Sequence, residues 1–135
     1  LPRPAPRGDV GAGARLDDLG LLPVSVDEAL SEENRTYARW TLHGTSHMLG
    51  LDVHDCAGAG AAAYGKESTL EEGYVLTVEP GLYFQDNDLL VPEELRGIGI
   101  RIEDDIVVTA DGALNLSAAL PRTPDDVEAW MGRHL

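Results

Sequence analysis

The sequence predicts an α+β fold, a curved, mainly antiparallel sheet with helices packed on one side. Three observations carry this expectation. Apolar runs of strand length recur at 74–79, 97–103 and 106–116. Helix-start signals stand to either side of them, at Ser25 and at Thr123. The run 106–116 is interrupted only by Ala110-Asp111-Gly112-Ala113, the signature of a hairpin between antiparallel strands.

Residues 1–14, rich in Pro, Gly, Ala and Arg, are expected to be a flexible lead-in, with the folded part spanning 15–135. Arg15 to Leu19 reads as the last turns of a helix stopped at Gly20. Ser25-Val26-Asp27-Glu28 has capping-box spacing and should open a short helix through Leu30. Residues 31–35 are polar and connect; Tyr37 to Leu42 suits a strand or a helix, and periodicity does not separate the two. Ala57 to Ala63 is a Gly/Ala-rich loop.

In the strand 74–79, Val75, Thr77 and Glu79 share one face. Gln85 to Glu94 is a polar excursion of the surface-loop kind. From Gly97 the alternation is clean: Ile98, Ile100 and Ile102 point one way, and Gly99, Arg101 and Glu103 the other. A glycine on the Arg101/Glu103 face lets a neighbour approach closely. Thr123-Pro124-Asp125-Asp126 opens the last helix with a cap, a proline at the first position and early acids. That helix should end near Gly132, with Trp130 as a core anchor and His134 in a frayed tail.

A chain of 135 residues with 43% hydrophobic and 25% charged residues suits a single globular domain. Its formal charge of −14, from 24 acids and 10 bases, repels phosphate backbones and argues against nucleic acid as a partner. Most of that charge is ordinary solvated surface. Cys56 is the single cysteine, so no internal disulfide can form, which points to a reducing, cytoplasmic setting. No segment approaches the roughly 20 apolar residues of a membrane span. The chain starts at Leu1 without an initiator Met, so a processed chain or a piece of a longer one is expected.

The chemistry concentrates in His43-Gly44-Thr45-Ser46-His47-Met48-Leu49-Gly50-Leu51-Asp52-Val53-His54-Asp55, which holds three of the four histidines. Imidazole is a common transition-metal ligand and a proton carrier near neutral pH. One histidine in such a stretch is better read as an incidental polar residue; three, punctuated by glycines, are better read as a site. Glu79 and Glu103 end the apolar runs 74–79 and 97–103. An imidazole and two carboxylates at the ends of apolar elements make a reasonable ligand set. The competing readings are a solvated turn glutamate at Glu79 and a surface charge pair of Arg101 with Glu103.

These three stretches, His43–Asp55, Thr77-Val78-Glu79-Pro80-Gly81-Leu82-Tyr83 and Gly97–Asp105, resemble the C-terminal signature blocks of aminopeptidase P, the Xaa-Pro aminopeptidases of the pita-bread metallopeptidases. The resemblance runs from about Arg15 to Met131 and implies the C-terminal half of a pita-bread domain. It further implies His47, Glu79 and Glu103 as metal ligands, with Glu103 bridging two metals. His43 and His54 would line the substrate site, Glu79 would shuttle a proton, Arg101 would orient Glu103, and Tyr83 would support the site. The implied reaction is release of the N-terminal residue from peptides with proline second, at a pair of divalent ions. Mn²⁺ is the first choice for a carboxylate-rich set.

The family's pair of metals needs two further aspartates from strands well upstream. Asp9, Asp17 and Asp18 lie upstream but outside any apolar strand context. This chain is therefore expected to hold one ion or none, and to cover its open sheet by self-association or with a complementary chain. Two other readings remain: a non-catalytic half-domain that oligomerises or binds a partner, and a mononuclear His/Glu/Glu metal protein.

Overall fold

The computed structural model describes residues 7–55 and 69–134. Its helices are α1 (Arg7–Asp18), α2 (Val26–Ala29) and α3 (Pro124–His134), with 3-10 turns at Thr36–Arg39 and Glu93–Leu95. Its strands are β1 (Val75–Val78), β2 (Gly81–Tyr83), β3 (Gly99–Arg101), β4 (Asp104–Thr109) and β5 (Gly112–Asn115). They form a three-stranded sheet in the order β1-β4-β5 and a two-stranded sheet of β2 and β3. The chain divides into two compact units, Leu1–His47 with Thr77–Glu103, and Met48–Leu76 with Asp104–Leu135.

In the first unit, α1 begins at Arg7, so residues 7–14 are helical rather than part of an unstructured lead-in. The reason is tertiary: Leu16 is buried completely and Ala12 nearly so, and burial of an apolar stripe outweighs the weak helix propensity of the glycines. The helix ends as its sequence predicts. Gly20 takes φ +67°; its N–H bonds to Asp17 O at 2.8 Å and that of Leu21 to Leu16 O at 2.9 Å. This is a Schellman closure, in which the left-handed residue is best served by glycine. It returns Leu21 to the core beside Leu16, with Tyr37, Trp40, Phe84 and Val91. α2 opens on Ser25, whose Oγ accepts the Glu28 N–H at 3.3 Å.

Tyr37 to Leu42 resolves into neither alternative. Thr36–Arg39 is a single 3-10 turn, and Trp40 at its end is fully buried. β2 and β3 pair antiparallel, with Gly81 opposite Arg101, Leu82 opposite Ile100 and Tyr83 opposite Gly99. The pairing runs on through Phe84 N to Ile98 O and Gly97 N to Phe84 O, both 2.8 Å.

The excursion Gln85 to Glu94 that closes this hairpin is not a plain surface loop. Val91 and Asp88 are buried at 1% and 5% exposure. Asp88 accepts Arg39 Nε at 2.6 Å and Nη2 at 2.8 Å, Trp40 Nε1 at 3.0 Å and the Leu90 N–H at 3.0 Å. Arg96 Nε donates to the carbonyls of Asp88 and Val91 at 3.1 and 2.9 Å. Asp88 and Arg96 thus turn inward, while Gln85, Asp86, Asn87, Glu93 and Glu94 stay exposed. Ile98, Ile100 and Ile102 stay 41–61% exposed. Facing Ala12 and Leu19 of the α1 segment, they line an apolar groove of about 640 Å³.

In the second unit, the expected hairpin forms between β4 and β5, with Thr109 opposite Gly112 and Ile106 opposite Asn115. Arg122 closes its base. Its guanidinium bonds to the Asp104 carboxylate and to the carbonyls of Ser117, Ala118 and Leu120. α3 is capped by Thr123, whose Oγ1 accepts the Asp126 N–H at 3.2 Å while its O–H donates to Asp126 Oδ2 at 2.7 Å. The helix continues to His134 rather than fraying at Gly132, and Trp130 is no core anchor. It is 45% exposed, its ring 5.0 Å from that of His134. Cys56 and the loop Ala57–Ala63 lie outside the described residues.

Candidate metal centre

Three segments of the first unit bring ligand-type atoms together. The segment leading to His47 runs beside β1: Glu79 N bonds to Thr45 O and Thr77 N to His47 O, each at 2.9 Å. That pairing sets His47 beside the end of β1. Glu79 follows β1 directly, before Pro80, and is 7% exposed. Glu103 follows β3, with Ile102 N bonded to Pro80 O at 3.3 Å. In consequence, donor atoms of His47, Glu79 and Glu103 all lie within 4.8 Å of one another.

Such a tripod of one imidazole and two carboxylates suits a hard or borderline divalent cation. It offers three protein donors and leaves positions for water or substrate, the pattern of an open site rather than a closed structural one. His47 Nε2 lies 3.0 Å from Glu79 Oε1. Arg101, on β3 two residues before Glu103, reaches both acids: Nη2 is 3.2 Å from Glu103 Oε2, and Nε is 3.7 Å from Glu79 Oε2. The shared face of Arg101 and Glu103, legible as an alternation, is the face that meets Glu79.

His43 sits at an exposed bend outside the ligand group, and Tyr83 holds it. The Tyr83 hydroxyl is 2.7 Å from His43 Nε2, and the rings meet edge to face with centroids 5.4 Å apart. His43 Nδ1 is 2.6 Å from Gly44 O. Tyr83 itself lies over two glycines. A Cβ on Gly99 would come within 2.9 Å of its Cδ1, and one on Gly81 within 2.8 Å of its Cε2 and hydroxyl. The close neighbour expected on this face is thus a tyrosine ring, and larger residues at either position would displace it.

His54 is not in this group. It belongs to the second unit, exposed on the turn that Met48 and Asp55 close by bridging to each other. Asp55 secures that turn, its Oδ2 accepting the Leu51 N–H at 3.0 Å. Asp17 and Asp18 lie on α1, with Asp18 paired to Arg15 at 3.0 Å, and neither joins the ligand group.

Two participants were not singled out from the sequence. Thr77 bonds to both His47 and Glu79, and Asp88 fastens the 3-10 turn ahead of His43 to the loop 85–96. For Thr77 the signal was available, since it precedes Glu79 by two residues on one strand face. For the Asp88 contacts with Trp40 and Arg39 there was none, because those partners lie 48 and 49 positions away.

Residues 10–110 match the model of the metallopeptidase family M24. Over 117 residues the chain is 63% identical to Xaa-Pro aminopeptidase 1 of Streptomyces coelicolor, covering 87% of this chain and 23% of that protein. Against the Escherichia coli Xaa-Pro aminopeptidase it is 49% identical over 115 residues, 84% of this chain and 24% of that one. The chain thus spans about a quarter of the length of these relatives. Among solved structures, zinc-substituted E. coli aminopeptidase P in complex with product superposes with a TM-score of 0.82 at 42% identity. That match covers 100% of this chain and 31% of the other. The Pseudomonas aeruginosa aminopeptidase PepP gives a TM-score of 0.81 at 39% identity over 93% and 27% of the two chains. The mixed helical and antiparallel architecture is thereby that of a pita-bread domain fragment.

Proposed function

The chain belongs to the metallopeptidase family M24, and on that footing we propose that it carries part of the active site of an Xaa-Pro aminopeptidase. Such an enzyme releases the N-terminal residue of a peptide whose second residue is proline. The observation that carries the proposal is the convergence of His47, Glu79 and Glu103 within 4.8 Å.

In this reading the three residues hold a divalent cation, with Mn²⁺ the first ion to test on a carboxylate-rich set. A cation bound there supplies Lewis acidity and makes water nucleophilic at neutral pH. The protein's own groups do the rest. Glu79, whose Oε1 is engaged by Thr77 and His47 and whose Oε2 faces Arg101, is the carboxylate proposed to take a proton from the attacking water and pass it to the leaving amine. Arg101 keeps the Glu103 carboxylate turned toward Glu79. His43, steadied by Tyr83, offers an imidazole to the substrate. We propose one ion for this chain, and a second only where two further carboxylates are brought to it. The exposed Ile98, Ile100 and Ile102 are the surface proposed to be covered by a second copy or a complementary chain.

Metal analysis after gel filtration tests the proposal, together with an assay on a proline-containing peptide. One ion per chain is expected, lost in Glu103→Ala while the circular dichroism spectrum stays largely unchanged. Unaltered stoichiometry in that variant refutes the ligand assignment. Failure to release the N-terminal residue with added Mn²⁺ removes the peptidase activity for this chain alone.

A further inference from the structure

We infer that Thr77 is the positioning residue that ties the histidine and glutamate arms of the metal centre to each other, an inference that rests on the reading of that centre above. Thr77 is 1% exposed. Its backbone already anchors β1, the N–H bonding to His47 O at 2.9 Å. The side chain makes two further bonds. Oγ1 accepts the His47 N–H at 3.1 Å and donates to Glu79 Oε1 at 3.1 Å.

The direction of these bonds is forced. An amide can only donate, an ionised carboxylate can only accept, and a hydroxyl has one hydrogen with two lone pairs. Oγ1 therefore links the backbone of one ligand residue to the side chain of the other, each bond polarising its neighbour. A buried threonine needs only one partner to be satisfied, and the His47 amide alone would suffice. The second bond goes to a ligand oxygen, which fixes the rotation of the Glu79 carboxylate. Oε1 faces His47 Nε2 at 3.0 Å and Oε2 faces Arg101 Nε at 3.7 Å.

Strand geometry makes the arrangement economical. Residues i and i+2 stand side by side on one face, so Thr77 reaches Glu79 without distorting β1. A β-branched side chain also favours the strand and is stiff at χ1, which holds the hydroxyl in place. Valine would keep the shape and lose both bonds, whereas serine would keep both.

The test is Mn²⁺ titration by calorimetry on the intact chain and on T77V and T77S. Alongside it, amide hydrogen exchange at His47 and thermal melting are measured on protein stripped of metal by a chelator. T77V should bind Mn²⁺ about 10–100-fold more weakly, the usual effect of losing a partner that orients a ligand. T77S should stay within about threefold of the unaltered chain. Exchange at His47 should quicken in T77V and not in T77S. Equal Mn²⁺ affinity and equal His47 exchange in T77V overturn the inference. Should T77V fail to fold, T77C takes its place, since a thiol is close to serine in shape but a weak donor. An unaltered chain that takes up no Mn²⁺ refutes the metal-centre reading instead, and His47 exchange still decides whether Thr77 ties the two arms.

Discussion

Asp88 gives the sharpest test of how the first unit is held together, because its carboxylate is buried and its partners are few. The Arg39 guanidinium, donating through Nε and Nη2, holds the carboxyl at about 2 against an ordinary 3.8. Burial opposes this, and the Leu90 N–H and Trp40 Nε1 reinforce it. A carboxylate with a depressed folded-state pKa stabilises the fold above its unfolded value and loses that contribution as pH falls through its folded value. The difference corresponds to about 2 kcal/mol at neutral pH, falling to about half near pH 3 and to little at pH 2. Asp88→Asn removes the charge and turns an amide toward the Arg39 fork, so it should cost about 2 kcal/mol at pH 7. Arg39 is 49% exposed and can rehydrate, which holds the loss below that of a fully buried pair. Urea unfolding of both proteins at pH 7, 5 and 3 measures it. The gap should be constant from pH 7 to 5 and narrow by pH 3. A gap under about 0.5 kcal/mol at pH 7, within the range of an ordinary surface change, would refute the reasoning. So would a gap that does not change on acidification.

Gly99→Ala should cost about 1–2 kcal/mol, because the new methyl meets Tyr83 Cδ1 at 2.9 Å and the ring must move. Imidazole nitrogen shifts of His43 should change with it; a variant as stable as the parent, with His43 unmoved, would show that the ring does not depend on this slot. Arg122→Lys should loosen the base of the β4–β5 hairpin by about 1 kcal/mol, since an ammonium cannot reproduce the guanidinium fork on Asp104 and three carbonyls. Arg122 also lowers the Asp104 pKa, so the deficit should shrink on acidification below the ordinary carboxylate range. Faster amide exchange confined to β4 and β5 would locate it, and unchanged exchange there would count against the role.

What could be read from the sequence follows the range of the interactions. Local rules decide the caps at Ser25 and Thr123, the stop at Gly20 and the β4–β5 hairpin, and each forms where expected. Strand periodicity put Thr77 with Glu79, and Arg101 with Glu103, on common faces. It did not show that these two faces meet, since that depends on pairing β2 with β3 and the His47 segment with β1. Residues 7–14 were misread because Gly8, Gly11 and Gly13 weaken the local helix propensity, and only the burial of Leu16 and Ala12 makes the helix worthwhile. The excursion Gln85 to Glu94 was misread for the converse reason. Its polarity suggested solvent, yet the Asp88 carboxylate turns inward to Arg39 and Trp40, partners that no nearby pattern announces.

The convergence of Glu79 and Glu103 raises an electrostatic question that the same strands answer. Two carboxylates brought within 4.8 Å of a common imidazole repel each other, and Glu79 is too buried for water to screen the repulsion well. Arg101 offsets it from one side, spanning Oε2 of both acids, and His47 Nε2 faces the other side of Glu79. Both partners come from the elements that carry the acids or pair beside them. Arg101 shares β3 with the approach to Glu103, and His47 is pinned to β1 beside Glu79. The fold therefore assembles the acids only together with the groups that make their proximity tolerable. A cation held between His47, Glu79 and Glu103 would add to this compensation while Arg101 kept the outer oxygens oriented. On that argument Arg101→Met should leave the donor residues in place and weaken Mn²⁺ binding, whereas Arg101→Lys should recover part of the loss, because charge returns without the fork. Calorimetric titration of the two variants decides it: equal affinities in both, matching the unaltered chain, would mean that Arg101 is only a surface partner of Glu103.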